Sequence, residues 1–218
     1  MRLPKYSFGI RGIRSGQWSQ SKWTNTSKFD PGQIEIEKVI SRFYNKIYNS
    51  AGITVIVLPT NPNFINPLNE ENILKTLSTV PKNYTAGLAG ILVLGGSKKQ
   101  EKTFNSLFSY GRYRQDTIII HPFPKRYLEQ RFKTLPKPNV MNEYERAGAK
   151  VTRRGKHWYV RFDEDSLEQF YLRDVLLHEL GHHVDSENFR SKPLKKAERF
   201  ADWFASEHGF KLWDAKGR

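Results

Sequence analysis

The heptapeptide Leu177-His178-Glu179-Leu180-Gly181-His182-His183 constrains this chain more than any other stretch. His178 and His182 stand four apart. On an α-helix, residues at that spacing lie one turn above the other on the same face. The two imidazoles can then meet at one metal ion, and Glu179 beside them can reach a water on that metal. The surrounding residues favour a helix. Asp165-Ser166-Leu167-Glu168-Gln169 reads as a helix start, with Ser166 and Gln169 at capping-box spacing. Leu176, Leu180 and Val184 recur every four residues with Leu177 beside them, an apolar stripe that can hold the helix on a core. The two histidines lie off the centre of that stripe.

The chain has no cysteine, so any metal must be bound by histidine and carboxylate, and disulfides are excluded. A catalytic zinc site has three protein ligands and keeps one position for water. The third ligand is expected downstream. Asp185 to Lys192 is a polar connection, and Pro193 suits the first turn of a second helix. Ala197, Phe200, Ala201, Phe204 and Ala205 recur with helical spacing, and Gly209 is a plausible stop. Glu198 and Asp202 share a face of that helix. Glu198 can supply the third ligand, with Asp185, Glu187 and His208 as competitors, and Asp202 can accept the free ring N–H of a ligating histidine.

H-E-x-x-H followed by E-x-x-x-D resembles the gluzincin metallopeptidases. His178-Glu179-Leu180-Gly181-His182-His183 with Glu198-x-x-Ala201-Asp202-x-Phe204-Ala205 is similar to the ImmA/IrrE-like group within them. The resemblance covers the C-terminal quarter of the chain. By position it implies His178, His182 and Glu198 as zinc ligands and Glu179 as general base. The activity implied is metalloendopeptidase: hydrolysis of peptide bonds, on a protein or peptide substrate, by a metal-activated water. An oxyanion would need one further donor, for which His183, Tyr159, Tyr171, His121 and His208 are candidates.

The net charge of +14 favours anionic partners. The basic residues are spread along the chain rather than gathered in a run. Residues 1–33 carry glycine, proline and small polar residues without an apolar period, and read as an N-terminal arm. In it Arg11, Arg14 and Lys22 interleave with Tyr6, Phe8, Trp18 and Trp23. Such an arm suits nucleic acid as well as packing onto the domain. The rival function is therefore a nucleic-acid-binding protein whose metal is structural or regulatory. No apolar run reaches membrane-spanning length and no signal peptide is evident, so a cytoplasmic location and no membrane partner are expected.

Between arm and motif the pattern predicts a helix over 33–50 and strands at Ile53–Leu58, Gly90–Leu94 and Thr117–Ile120. A short helix is expected over Glu70–Leu77, and another over Pro124–Leu135. A hairpin is expected from Ala149–Arg153 and His157–Phe162, turning at Gly155. This order places a small mixed sheet ahead of two site-bearing helices, an α+β domain over residues 34–218. The resemblance implies a compact zincin-like form for it.

Overall fold

The β-branched runs of the sequence become the central strands. The computed structural model of the chain describes residues 31–50, 52–97, 110–136, 138–188 and 194–214. Helix α1 (Pro31–Tyr48) leads into β1 (Thr54–Val57) and a two-residue strand β2 (Phe64–Ile65). Helix α2 (Glu70–Ser78) starts at Asn69, whose side chain accepts the Asn72 N–H while Asn72 returns the bond, closing both ends of a capping box. Then come β3 (Gly90–Val93), β4 (Gly111–Arg114), β5 (Thr117–Ile120), β6 (Phe123–Pro124) and β7 (Glu129–Phe132). Helix α3 (Pro138–Arg146) precedes β8 (Lys150–Arg154) and β9 (His157–Arg161). The last helices are α4 (Glu164–Phe170), α5 (Leu177–Asn188) and α6 (Leu194–Asp214).

Strands β1, β3 and β5 run parallel, and β4 closes one end antiparallel, in the order β1-β3-β5-β4. Strands β3 and β5 are buried at every position because both faces of this sheet are covered. On one face Ile56, Leu92 and Ile119 pack on Ile47, Val39 and Phe43 of α1. On the other, Ile91, Ile118 and Ile120 join Ile73 and Leu77 of α2 and the inward residues of α4, α5 and α6. A separate three-stranded antiparallel sheet has the order β7-β9-β8, and β2 pairs with β6. The fold is mixed helix and strand, as the pattern predicted. Among the described residues no helix is long and apolar enough to cross a membrane.

Three local expectations are corrected, and one strand is added to them. Residues 124–135 form a 3-10 turn at Lys125–Tyr127 and then β7, because pairing with β9 outweighs the helical propensity of Leu128-Glu129-Gln130. Strand β4 was not anticipated at all. Helix α4 is capped by Asp163, which accepts the Ser166 N–H, so Ser166 is the third residue of the helix and not its cap. Helix α6 runs past Gly209 to Asp214. The expected arm lies outside the described residues up to residue 30, and residues 31–33 open α1. Of the polar connection expected before α6, residues 185–188 extend α5 instead, and residues 189–192 lie outside the described ones.

Helices α4 and α5 are joined without a break by a π-helical segment, Tyr171–Leu176. There the Leu177 N–H reaches back five residues to the Leu172 carbonyl. Such segments hold one more residue per turn than an α-helix, and they are frequent at functional sites. Tyr171, Leu172, Val175 and Leu176 bury their side chains in the core, so the wider turn is held by packing.

Candidate metal centre

Helix α5 turns Leu177, Leu180 and Val184 into the core, each no more than 5% exposed. That leaves His178 and His182 on its flank, with side chains 19% exposed. Helix α6 crosses against this flank at Gly181. A β-carbon on Gly181 would lie 2.8 Å from the Ala201 α-carbon, so only glycine lets the two backbones approach this closely. The approach brings Glu198 of α6 to the histidines.

The Nε2 atoms of His178 and His182 are 3.1 Å apart. Glu198 places Oε2 3.6 Å from the first and Oε1 3.7 Å from the second. Three ligand atoms held at about 2.1 Å from one tetrahedral ion would be separated by roughly 3.4 Å. The donor set therefore fits a metal ion, and among the described residues it is the one such group of three. The competing third ligands are not part of it. Asp185 is buried on α5, and His208 packs on the rings of Phe204 and Tyr84. The Glu187 side chain lies outside the described residues.

Asp202 lies beside His178. Its Oδ1 is 3.1 Å from Nδ1 of His178, so the ring donates its proton there and turns Nε2 toward Glu198 and His182. Burial works against a charged His178, but the carboxylates of Asp202 and Glu198 outweigh it and push the ring well above its ordinary pKa.

Glu179 is 8% exposed. Its Oε2 accepts the main-chain N–H of Tyr113, on β4, at 2.7 Å. Gly111, two residues earlier on the same strand, makes room for the side chain: a β-carbon there would stand 2.7 Å from Glu179 Cγ. Burial raises the Glu179 pKa, while the two histidines and the Tyr113 N–H pull it back.

The side chains that were candidates for the oxyanion donor do not converge on this site. His183 is buried and sets Nε2 2.9 Å from the Ala86 carbonyl, and its Nδ1 meets the Tyr113 hydroxyl at 3.1 Å. A carbonyl only accepts, so Nε2 carries the proton. The Tyr113 hydroxyl, pushed up to about 12 chiefly by burial, also reaches Asp116 Oδ1 at 2.9 Å. Tyr171 is fully buried and donates to the His121 carbonyl. Tyr159 belongs to β9, with the Arg154 guanidinium over its ring. Next to it in the strand, Val160 points into the core, so alternation turns Tyr159 outward. His121 is buried as well, and burial lowers its pKa to about 4.

Sequence reasoning missed Gly111, Tyr113, Glu143 and Asp174. Asp174 lies four residues before His178 and close enough to act on its charge. Burial raises Asp174 to about 6, against the pull of Arg146, Arg173 and His178. Glu143 of α3 is raised to about 7 by burial, with Asp174 and Asp202 adding to it. The four-residue spacing of Asp174 could have pointed to it. Tyr113 and Glu143 carried no such local signal.

No family model, curated protein or solved structure matches this chain.

Proposed function

We propose that this chain is a zinc-dependent metallopeptidase with a zincin-like domain. The observation that carries the reading is the convergence of Glu198 with His178 and His182, at separations of 3.1–3.7 Å, beside a buried carboxylate. Two imidazoles and one carboxylate form a donor set of the kind that catalytic zinc takes. When bound, zinc supplies a Lewis acid and lowers the pKa of its water.

The residues of the chain divide the remaining work. His178, His182 and Glu198 hold the ion, and Asp202 fixes the His178 tautomer through Nδ1. Glu179 takes the proton of the attacking water and gives it to the leaving amine. Its carboxylate is fixed through Oε2 by Tyr113, and burial makes it the stronger base. Among the described residues β4 pairs on one side only, with β5. The Tyr113 N–H faces the other side, the side along which an extended peptide would run. None of His183, Tyr159 and Tyr171 is assigned as oxyanion donor.

The test has two stages. Elemental analysis after dialysis against zinc should find about one ion per wild-type chain, and far less in Glu198→Ala. The zinc-loaded protein should then cleave members of a peptide library, read by mass spectrometry, while Glu179→Gln keeps the ion and cleaves nothing. No zinc in either protein would remove the reading. Zinc without cleavage would turn it toward a structural or regulatory metal.

A further inference from the structure

The β7-β9-β8 sheet has two unlike faces. Val160, in its centre, is wholly buried. Side chains alternate along a strand, so His157, Tyr159 and Arg161 of β9 share the opposite face. The register sets Arg131 and Thr152 beside Tyr159, Glu129 and Lys150 beside Arg161, and Arg154 beside His157. Every residue of that face is exposed except His157 and Tyr159, which are half-buried between their neighbours.

The chemistry of the face is one-sided. Arg131, Lys150, Arg154 and Arg161 stand against Glu129, which pairs with Arg154 at 3.1 and 3.2 Å. Asp163 joins Lys150 and Arg161 around a hollow of about 150 Å³ at one end. The other end adds exposed Lys133 and Lys156. Flat groups occupy the middle: the Arg154 guanidinium lies 4.8 Å from the centre of the Tyr159 ring, and Arg131 Nη2 is 3.2 Å from His157 Nε2. The five residues of β9 give the face a length of about 14 Å, the scale on which small sheets stack two or three bases.

We infer that this face binds single-stranded nucleic acid, with Arg131, Lys150 and Arg161 on phosphates and the Tyr159–Arg154 pair and the His157 ring as stacking surfaces. An excess of cations attracts any polyanion. A guanidinium laid over a tyrosine ring and an imidazole hydrogen-bonded to a second guanidinium set flat groups on the exposed face of the sheet; flat groups favour unpaired bases, because a duplex keeps its bases stacked on one another. The inference does not depend on the metal centre.

The experiment measures binding of the full chain to a fluorescein-labelled single-stranded DNA 20-mer of mixed sequence, from 50 to 300 mM salt. Arg131→Ala/Arg161→Ala should flatten the slope of log affinity against log salt by about 1.4, two phosphate contacts at roughly 0.7 each. Tyr159→Ala should weaken binding about tenfold with the slope unchanged. Lys75→Ala/Lys82→Ala, two exposed lysines elsewhere, should change neither. Circular dichroism checks that each variant is folded, and Tyr159→Leu, which keeps the bulk and loses the aromatic plane, replaces any Tyr159→Ala that is not. Absence of binding at 50 mM salt would overturn the inference. So would an equal loss in the lysine pair, an unchanged slope in the arginine pair, or equal competition by duplex DNA.

Discussion

The main-chain N–H of Tyr113 donates to Oε2 of Glu179 over 2.7 Å. Through that bond β4 holds the carboxylate that peptide hydrolysis would use as its base. The contact requires Gly111, and it gives the first prediction.

In Gly111→Ala the new methyl would press on Glu179 Cγ and on Val175 Cγ1, at 2.7 and 2.8 Å. Crowding of this kind typically costs about 1–3 kcal/mol. A lower thermal midpoint is expected, with zinc still bound near one per chain and peptide cleavage reduced by tenfold or more. Wild-type cleavage in this variant would show that the position of Glu179 does not matter.

Gly181→Ala tests the other close approach. Its methyl would stand 2.8 Å from the Ala201 α-carbon and 3.1 Å from Phe204 Cβ, so α5 and α6 must separate. Stability should again fall by about 1–3 kcal/mol. Glu198 rides on α6, so zinc affinity should fall with it, and titration against a fluorescent chelator measures this. Unchanged affinity would mean that Glu198 does not depend on this packing.

Asp202 is two-thirds exposed, and its removal should hardly affect folding. Asp202→Ala should nonetheless weaken zinc binding by about 10–100-fold, since the His178 Nδ1 proton loses its acceptor. Asp202→Asn keeps an acceptor oxygen and should lie between. Wild-type affinity in both variants would remove Asp202 from the site.

His121 predicts a pH effect. Burial holds it near 4, against an ordinary value of 6.5. Below pH 6.5 the unfolded chain takes up a proton that the folded chain refuses, so this group's contribution is present above that pH and is lost on acidification toward 4. The slope cannot exceed about 1.4 kcal/mol per pH unit. Glu143, raised to about 7, has the opposite sign and loses its contribution as pH rises through that value. The difference between wild type and His121→Gln isolates the histidine. Denaturant unfolding in chelator at pH 7, 6, 5 and 4 should show the variant losing less. Parallel curves would reject the assignment.

What was legible in the sequence was what is periodic and local. His178, His182, Glu198 and Asp202 follow helical spacing within single helices, and the folded helices present them as that spacing requires. Strand β4 was illegible because its hairpin turns at Gln115-Asp116, both with positive φ, 47° and 55°, and without the glycine that usually marks such a turn. The Tyr48 hydroxyl donates to the Gln115 carbonyl, support that arrives from 67 residues away. His183 looked available for catalysis for the same reason: its acceptor, Ala86, is 97 residues distant. Strand β7 was read as helix because its partner β9 decides its conformation and lies some thirty residues on.

The π-helical turn at Tyr171–Leu176 absorbs one residue more than an ordinary helix would hold between Phe170 and Leu177. Were the same residues wound as an α-helix, everything beyond them would rotate by about 100° relative to Leu167 and Phe170. His178 and His182 would then swing away from Glu198 with their motif intact. A relative one residue shorter at this place would keep both faces in register with an ordinary helix, and would hold the same three side chains together without the wide turn.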